Sequence, residues 1–481
     1  MQLDEVKNKT IRSVVALVGR TVFLQVTSLV AFFLLGIFLS PSAIGIFIAV
    51  SALLRIFSLF TDVGLGAALI QKKEELDEDD LKTTFTIQEI LVVTAVLIGF
   101  GLTNIVAKYV NLDVQGVFLY KVLLITLFIS SLKALPSLLL ERRLAFEIQV
   151  IPQIVEALVF NFLVVLLAYK GFGVDSYSWA ILASALVGLP LYYLLSPWKV
   201  RLGFSRNKAR HLLSYGLAFQ GKSFLAVIKD DLLTVFLTGS VGTAGVGYWG
   251  WAQKWAYSPF RLIVDSITKV TFPAYSRVQN DQETLRKGIE KSLFGVSVVL
   301  FPVLTMMIFL ISPVIALIPK YGKWELALPS FYFLCFGAGI SALSNILVNA
   351  LDATGKVKTT LGLMVMWIVL IWVLTISLVT KFGFTGISMA SFLVSLTIFV
   401  TVFLLKRYVK FSFVRPIIKP IFSCLFMGLG MYFTLKYTQG ITSVVLSGAV
   451  GAIIYSGVSL LIDRKEILTN FKILLGAYKN E

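Results

Sequence analysis

The chain has 481 residues, of which 57% are hydrophobic and only 14% charged, with a mean hydropathy of +0.88. That balance excludes a water-soluble globular protein of ordinary composition and marks an integral membrane protein. The net charge of +17 does not argue for nucleic acid, because about four Lys and Arg lie on the side of the two termini for each one on the other, which is the bias of cytoplasmic loops.

Apolar runs long enough to cross about 30 Å of hydrocarbon as helices follow one another along nearly the whole chain. About fourteen are expected, at 13–39, 43–70, 84–107, 116–140, 146–169, 174–196, 211–238, 243–270, 292–318, 325–352, 359–380, 384–405, 416–437 and 442–462. The expected fold is an all-α polytopic bundle with both termini cytoplasmic. The opening MQLDEVKNKTIRSVV has acidic residues and no small-residue cleavage pattern, so the first span reads as retained rather than as a signal peptide. The linker KKEELDEDDLK at 72–82 reads as a solvated cytoplasmic face. The longest connections, 197–210 and 271–291, are too short for a soluble domain, which leaves the bundle as the place for any chemistry. Two basic clusters, Lys199, Arg201, Arg206, Lys208 and Arg210, then Lys406, Arg407, Lys410, Arg415 and Lys419, read as topology determinants lying against anionic membrane lipids. Cys335 and Cys424 fall inside spans, so no disulfide is expected. His211 stands alone at a helix start without Cys or carboxylate companions, so neither a metal nor a cofactor is expected.

The informative feature is charge inside the spans. Arg20, Arg55, Lys222, Lys229, Lys254, Arg261 and Lys269 fall in the first, second, seventh and eighth. Facing lipid, each would cost about 2.5–3.5 kcal/mol at the bilayer centre, about 20 kcal/mol together. They must line a protein interior or a wet cavity, as expected of a carrier of something anionic. In the eighth span Lys254, Ser258, Arg261, Asp265 and Lys269 recur every three or four residues and share one helix face. Two readings stay open: a salt-bridge ladder in which Asp265 joins Arg261 to Lys269, or a wall whose surplus cations meet an anionic ligand. In the second span Ser51, Arg55, Ser58 and Asp62 form a similar stripe, and in the seventh Lys222 and Lys229 are followed by Asp230 and Asp231. The carboxylates either neutralise those cations or take up an ion during transport, with Asp62, Asp231 and Asp265 as the candidates. Pro259 is placed to kink the eighth span. The aromatic run at 248–257 is an interfacial belt or, through Trp251 or Trp255, a surface for stacking sugar rings.

Residues 216–223, GLAFQGKS, match the phosphate-binding loop pattern letter for letter, but the match lies within an expected membrane helix with no strand or soluble domain around it, so ATP hydrolysis is rejected. The turn at 38–47, FLSPSAIGIF, resembles FLTGSVGTAGVG at 236–247, with Ser40 and Gly45 matching Ser240 and Gly245 at an offset of 200. An even number of spans separates them, so a duplication would give two six-helix lobes, 1–200 and 201–410, related by a pseudo-two-fold axis along the membrane normal, with 411–481 appended.

Several segments carry a family resemblance: DVGLGAALIQ at 62–71, LLLERRLAFEIQVIPQIVEAL at 138–158, LLSYGLAFQGKSFLAVIKDDLL at 212–233, GVGYWGWAQKWAYSPFRLIVDSITKVTFPAYSRVQND at 245–281 and NALDATGKVK at 349–358. Over most of its length the chain resembles the polysaccharide transporter branch of the MOP exporter superfamily, the Wzx-type flippases, which fourteen spans fit better than they fit the drug-exporting relatives. The resemblance implies a V-shaped cavity opening alternately to either side and a substrate that is an oligosaccharide on a polyprenyl diphosphate, usually undecaprenyl. It implies transport rather than catalysis, with polysaccharide polymerase machinery as a candidate partner. A desolvated diphosphate would need several Lys or Arg partners, and Arg55, Lys222, Lys254 and Arg261 are the leading ones. A lipid II flippase or a drug/cation antiporter of the same superfamily is the related alternative, although an antiporter calls for an acidic cavity without surplus cations. A membrane glycosyltransferase or polymerase would present catalytic groups in a sizeable outward loop, which the spacing of the spans does not provide. A scaffold recruiting such machinery through its basic loops would not explain charge inside the membrane.

Overall fold

A computed structural model describes the backbone of residues 3–61 and 63–479, and the side chains of 19–61, 63–210, 212–217, 220 and 224–462. Among the described residues the regular structure is helical throughout. In chain order the helices are α1 (Leu3–Phe38), α2 (Pro41–Thr61), α3 (Leu65–Gln71), α4 (Glu78–Gly101), α5 (Thr103–Val110), α6 (Val114–Leu132), α7 (Ala134–Arg142), α8 (Phe146–Tyr169) and α9 (Asp175–Leu195). They continue with α10 (Arg206–Arg277), α11 (Gln282–Leu317), α12 (Leu328–Ala353) preceded by a 3-10 turn at Gly322–Ala327, α13 (Val357–Phe382), α14 (Thr385–Ser395), α15 (Ile398–Lys406), α16 (Arg415–Tyr437) and α17 (Gly440–Lys479).

Their ends follow local chemistry. Asp77 caps α4 by accepting from the Asp80 amide at 2.7 Å while the Asp80 carboxylate accepts from the Asp77 amide at 3.2 Å, a reciprocal capping box. Asp113 caps α6 and Asp281 caps α11 in the same way from one side. Within α10 the break in helical dihedrals lies at Gly242, at φ 73° and ψ 171°, a conformation that only glycine adopts without strain. α10 is therefore two limbs, 206–241 and 243–277, and the second runs through Pro259 as helix.

Among the described residues twelve helical segments are long and apolar enough to cross a membrane, which makes this a multi-pass membrane protein. They correspond to twelve of the expected spans. The other two, the seventh and eighth, are the limbs of α10: each is helical over more than the required length, but polar and charged residues interrupt its apolar surface. Fourteen crossings would need both limbs to cross.

The chain divides into two compact units, Met1–Gly250 and Trp251–Glu481. This division does not coincide with the lobe boundary expected near residue 200, because the first limb of α10 and the start of the second are fastened to the helices before them. A Cβ on Gly45 of α2 would overlap the Thr243 carbonyl, a Cβ on Gly247 would overlap the Pro41 carbonyl, and the Ser42 and Thr243 hydroxyls share a hydrogen bond of 2.8 Å. The two glycine contacts are reciprocal, and Pro41 to Thr243 and Gly45 to Gly247 are both steps of 202 residues. The turns singled out by their sequences are thus related by a local two-fold, two residues away from the expected offset.

In the first unit α6 is the most enclosed of the apolar helices, packed by α2, α4 and α9, while α8 lies between α1 and α9. The acidic linker 72–82 is exposed at most of its carboxylates and anchored at one: the nearly inaccessible Asp80 takes Lys72 at 2.5 Å and Lys208 at 3.2 Å. The backbone amides of Gly203 and Ser205 donate to Thr86 and Thr83, which ties the start of α10 to α4. In the second unit α12 is the buried centre, with α11, α13, α14 and α15 around it and the hairpin α16–α17 against α11.

Candidate functional site

In the first unit Arg55 reaches from α2 to α10, where its Nε donates to Asp231 Oδ1 at 2.6 Å. The arginine side chain is 55% exposed and the aspartate 9%. One of the expected candidate ion-coupling carboxylates is therefore the partner of one of the expected anion-binding cations. Lys229 lies 3.6 Å from its neighbour Asp230, both open to the surroundings. Arg20 is half-buried on α1, with its Nε enclosed and without a partner, and close enough to Tyr192 of α9 for its charge to be felt there. Asp62 and the side chain of Lys222 lie outside the described residues, but the backbone through 216–223 is continuous helix. A phosphate-binding loop needs amide groups free of helical bonding, so the letter match is disposed of by geometry.

In the second unit the stripe on α10 is present. Lys254 is half-buried and its carbonyl accepts from the buried Ser258 hydroxyl, while Arg261, Asp265 and Lys269 are exposed on one face. Among the described residues Asp265 makes no ion pair with Arg261 or Lys269, so the expected ladder does not form. All three side chains are exposed, and ordering two long side chains on one short carboxylate costs rotamer entropy.

The aromatic run divides into two roles. Trp251 is fully buried and stacked on Trp324 at 5.2 Å with an 8° interplanar angle, and Tyr321 lies edge-on to it. One of its faces is thus occupied by protein, which corrects its assignment as a sugar-stacking surface: it is a core residue of the second unit. Trp255 is half-buried one turn further on.

Three intramembrane charges escaped the reading by stripes. Lys133, at the junction of α6 and α7, is paired with Glu156 of α8 at 2.5 Å and lies over the Tyr192 ring. Glu89, near the middle of α4, is 9% exposed and accepts one hydrogen bond, from Ser131 at 3.0 Å. Glu89 is the single charge in its apolar run, while Lys133 shares its run with Lys121 and Glu156 with Glu147; the signal that would have found all three is the plain rule that any ionisable residue within a span is a candidate. Beside Glu89 the first unit holds a cavity of about 730 Å³ between α3, α4, α6 and α7, lined by hydroxyl and amide groups as well as leucines.

The fold is similar to that of the lipid II flippase MurJ in an inward closed conformation, with a TM-score of 0.75 over 95% of this chain and all of that one at 15% identity. It is also similar to an inward-facing multidrug MATE transporter of the MOP superfamily, with a TM-score of 0.59 over 82% of this chain and 97% of that one at 16% identity. Among sequences, the succinoglycan biosynthesis transport protein ExoT of Rhizobium meliloti is 22% identical over 447 residues, 89% of this chain and 87% of that protein. The family of polysaccharide biosynthesis proteins matches residues 34–327, more than half of the sequence, and this chain belongs to it.

Proposed function

We propose that this protein is a flippase that carries lipid-linked oligosaccharide units from the cytoplasmic to the outer leaflet for surface polysaccharide assembly, by alternating access and without catalysis. The observation that carries the reading is the exposed row on the second limb of α10, where Arg261 and Lys269 stand in a membrane protein without an ion-pair partner among the described residues. Membrane-embedded cations that the protein itself does not neutralise are best accounted for by an anion that comes and goes. Membership of the polysaccharide biosynthesis family supplies the class of cargo, and a diphosphate headgroup supplies the charge. The finer parts of the proposal are an undecaprenyl-type carrier, Arg20, Arg55, Lys222, Lys229, Lys254, Arg261 and Lys269 as groups the headgroup passes, and a cell-membrane location with both termini cytoplasmic. It also includes two six-helix lobes at 1–200 and 201–410, with both limbs of α10 crossing and 411–481 appended. A polysaccharide polymerase is the partner this cargo would require downstream.

Translocation of a fluorescent undecaprenyl-diphosphate sugar in proteoliposomes tests this directly. Wild type should expose the label to a membrane-impermeant quencher, and Arg261→Gln and Lys254→Gln should each slow it while keeping the thermal stability of the parent. Wild-type protein that moves lipid II but not a shorter diphosphate glycolipid would replace the cargo, and protein that moves neither would overturn the reading.

A further inference from the structure

Glu89 sits near the midpoint of α4, a helix that spans from Glu78 to Gly101. Its side chain is almost wholly enclosed, and among the described residues no lysine or arginine lies within ion-pair reach of it. Its Oε1 has no hydrogen-bond partner at all. An ionised carboxylate in that position would be both uncompensated and half-unsolvated, the most expensive state a side chain can occupy in a membrane.

The Ser131 hydroxyl resolves the protonation state. Its oxygen lies 3.0 Å from Glu89 Oε2 and 2.7 Å from the Phe128 carbonyl oxygen. A hydroxyl has one hydrogen to give and two lone pairs to receive with. If Glu89 is ionised, both neighbours compete for that single hydrogen and one is left without. If Glu89 is protonated, its Oε2–H donates to Ser131 and Ser131 donates to Phe128, so both contacts are satisfied.

Ser131 also lines the cavity between α3, α4, α6 and α7, together with Thr84, Gln88, Ser130 and Ser137. The lining is otherwise largely apolar, and these side chains give the cavity, which is roomy enough for water, its polar part. We propose that Glu89 is a proton-binding site of this protein, neutral in the structure described, which exchanges its proton with cavity water through Ser131. In the exchange the Glu89 Oε2–H bond breaks as a bond to Ser131 Oγ forms. The original Ser131 hydrogen, turned away from Phe128, passes to a water molecule, leaving a carboxylate and a hydronium ion. The groups able to modulate it are few. Tyr193 of α9, whose hydroxyl donates to the Leu132 carbonyl at 3.0 Å, is one titratable neighbour, and Glu141 of α7 and Tyr215 of α10 line the same cavity as Ser131. On the elements packed against α4, Arg55 of α2 is committed to Asp231, Lys72 after α3 to Asp80, and Lys133 after α6 to Glu156. Lys108 of α5 and Lys121 of α6 make no ion pair with Glu89.

Infrared difference spectroscopy of the full-length protein in lipid tests this without reference to transport. At neutral pH wild type should show the carbonyl stretch of a protonated carboxyl. That band should be missing in Glu89→Gln, displaced in Glu89→Asp and displaced in Ser131→Ala, which removes its hydrogen bond. Ser130→Phe, which narrows the cavity next to Ser131, should slow its exchange in deuterium oxide. A neutral-pH spectrum unchanged by Glu89→Gln overturns the proposal, as does deuterium exchange unaffected by Ser130→Phe. The consequence for transport rests on the flippase reading: an imposed pH gradient should accelerate translocation by wild type and not by Glu89→Gln. Wild type that moves no glycolipid would sink the flippase reading alone, since the spectroscopic result still decides Glu89.

Discussion

The Arg55–Asp231 pair makes an asymmetric prediction, because its members sit in unlike surroundings. The aspartate is 9% exposed and the arginine 55%. Arg55→Gln removes the strong donor and strands a carboxylate that cannot reach water, so the loss approaches the desolvation penalty of that group, about 1–3 kcal/mol. Asp231→Asn strands an arginine that keeps access to water and can extend toward it, so the loss is that of a half-exposed pair, about 1 kcal/mol or less. The double variant should lie near Asp231→Asn, because the stranded carboxylate is gone, which gives a coupling term between the two sites. Thermal midpoints of the four proteins in one detergent, with ligand-free samples, measure this. Equal losses for the two single variants, or a greater loss for Asp231→Asn, would refute the argument that burial of the carboxylate governs the pair. Translocation should rank the same way, for a different reason: Asp231→Asn leaves Arg55 free to hold an anion, whereas Arg55→Gln cannot.

Gly45→Val should cost about 2–3 kcal/mol and separate α2 from the second limb of α10, because its Cβ meets the backbone carbonyl of Thr243, which cannot swing aside as a side chain would; the thermal midpoint and cross-linking of cysteines placed at 42 and 243 both read this out. Trp251→Ala should cost about 3–5 kcal/mol by opening the stack on Trp324, and Trp251→Phe should recover most of the stability with translocation unchanged, as a core role requires. Neutralising Lys133 or Glu156 singly should destabilise the first unit more than the Lys133→Met, Glu156→Leu double change, since only the single changes leave an unmatched charge in place; unfolding midpoints of the three variants decide it. At the linker 72–82 the Lys208 ammonium bonded to Asp77 lowers the Asp77 carboxyl to about 2, from an ordinary value of 3.8, and the same bond raises Lys208. A depressed carboxyl contributes stability that is complete above its unfolded value and is lost as pH falls through its folded one. Limited proteolysis within 72–82 should therefore stay slow down to about pH 4 and accelerate toward about pH 2, and Lys208→Met should move that onset upward.

How much could be read from the residues depended on whether the signal was local. Apolar runs of twenty residues are local, so the helical architecture and twelve of the spans were legible, and the polarity of the seventh and eighth marked them as unusual. The eighth-span stripe was legible for the same reason, since a repeat of three and four fixes a helix face without any knowledge of neighbours. Pairing across helices is not local. Arg55 finds Asp231 at a sequence separation of 176, and nothing in either span distinguishes Asp231 from Asp230 as the partner. The helix turns one toward α2 and leaves the other exposed. Trp251 and Trp255 are likewise one turn apart in one aromatic run, yet only the position of Trp324 makes the first a core residue. Lys133, Glu156 and Glu89 were overlooked because none belongs to a stripe of charges on its own helix, so that its meaning appears only when a residue on another helix is set beside it.

The structure sorts the intramembrane charges by whether the protein itself completes them. Lys133 with Glu156, and Arg55 with Asp231, are closed accounts of charge within the first unit, built from residues on different helices. Such pairs fix which helix faces which, and their worth lies in the penalty for breaking them rather than in net stability. Arg261 and Lys269 differ, since they share a face with Asp265 and yet no pair forms among them. A side chain selected only to hold helices together would be expected to find its carboxylate across a helix contact, as Lys133 does. On the flippase proposal, charge kept open in this way is charge that the anionic cargo completes for part of the time. The two groups therefore separate the roles that the sequence left joined: substitutions in the paired set should be read first in stability, and substitutions in the open row first in the rate at which an anion crosses.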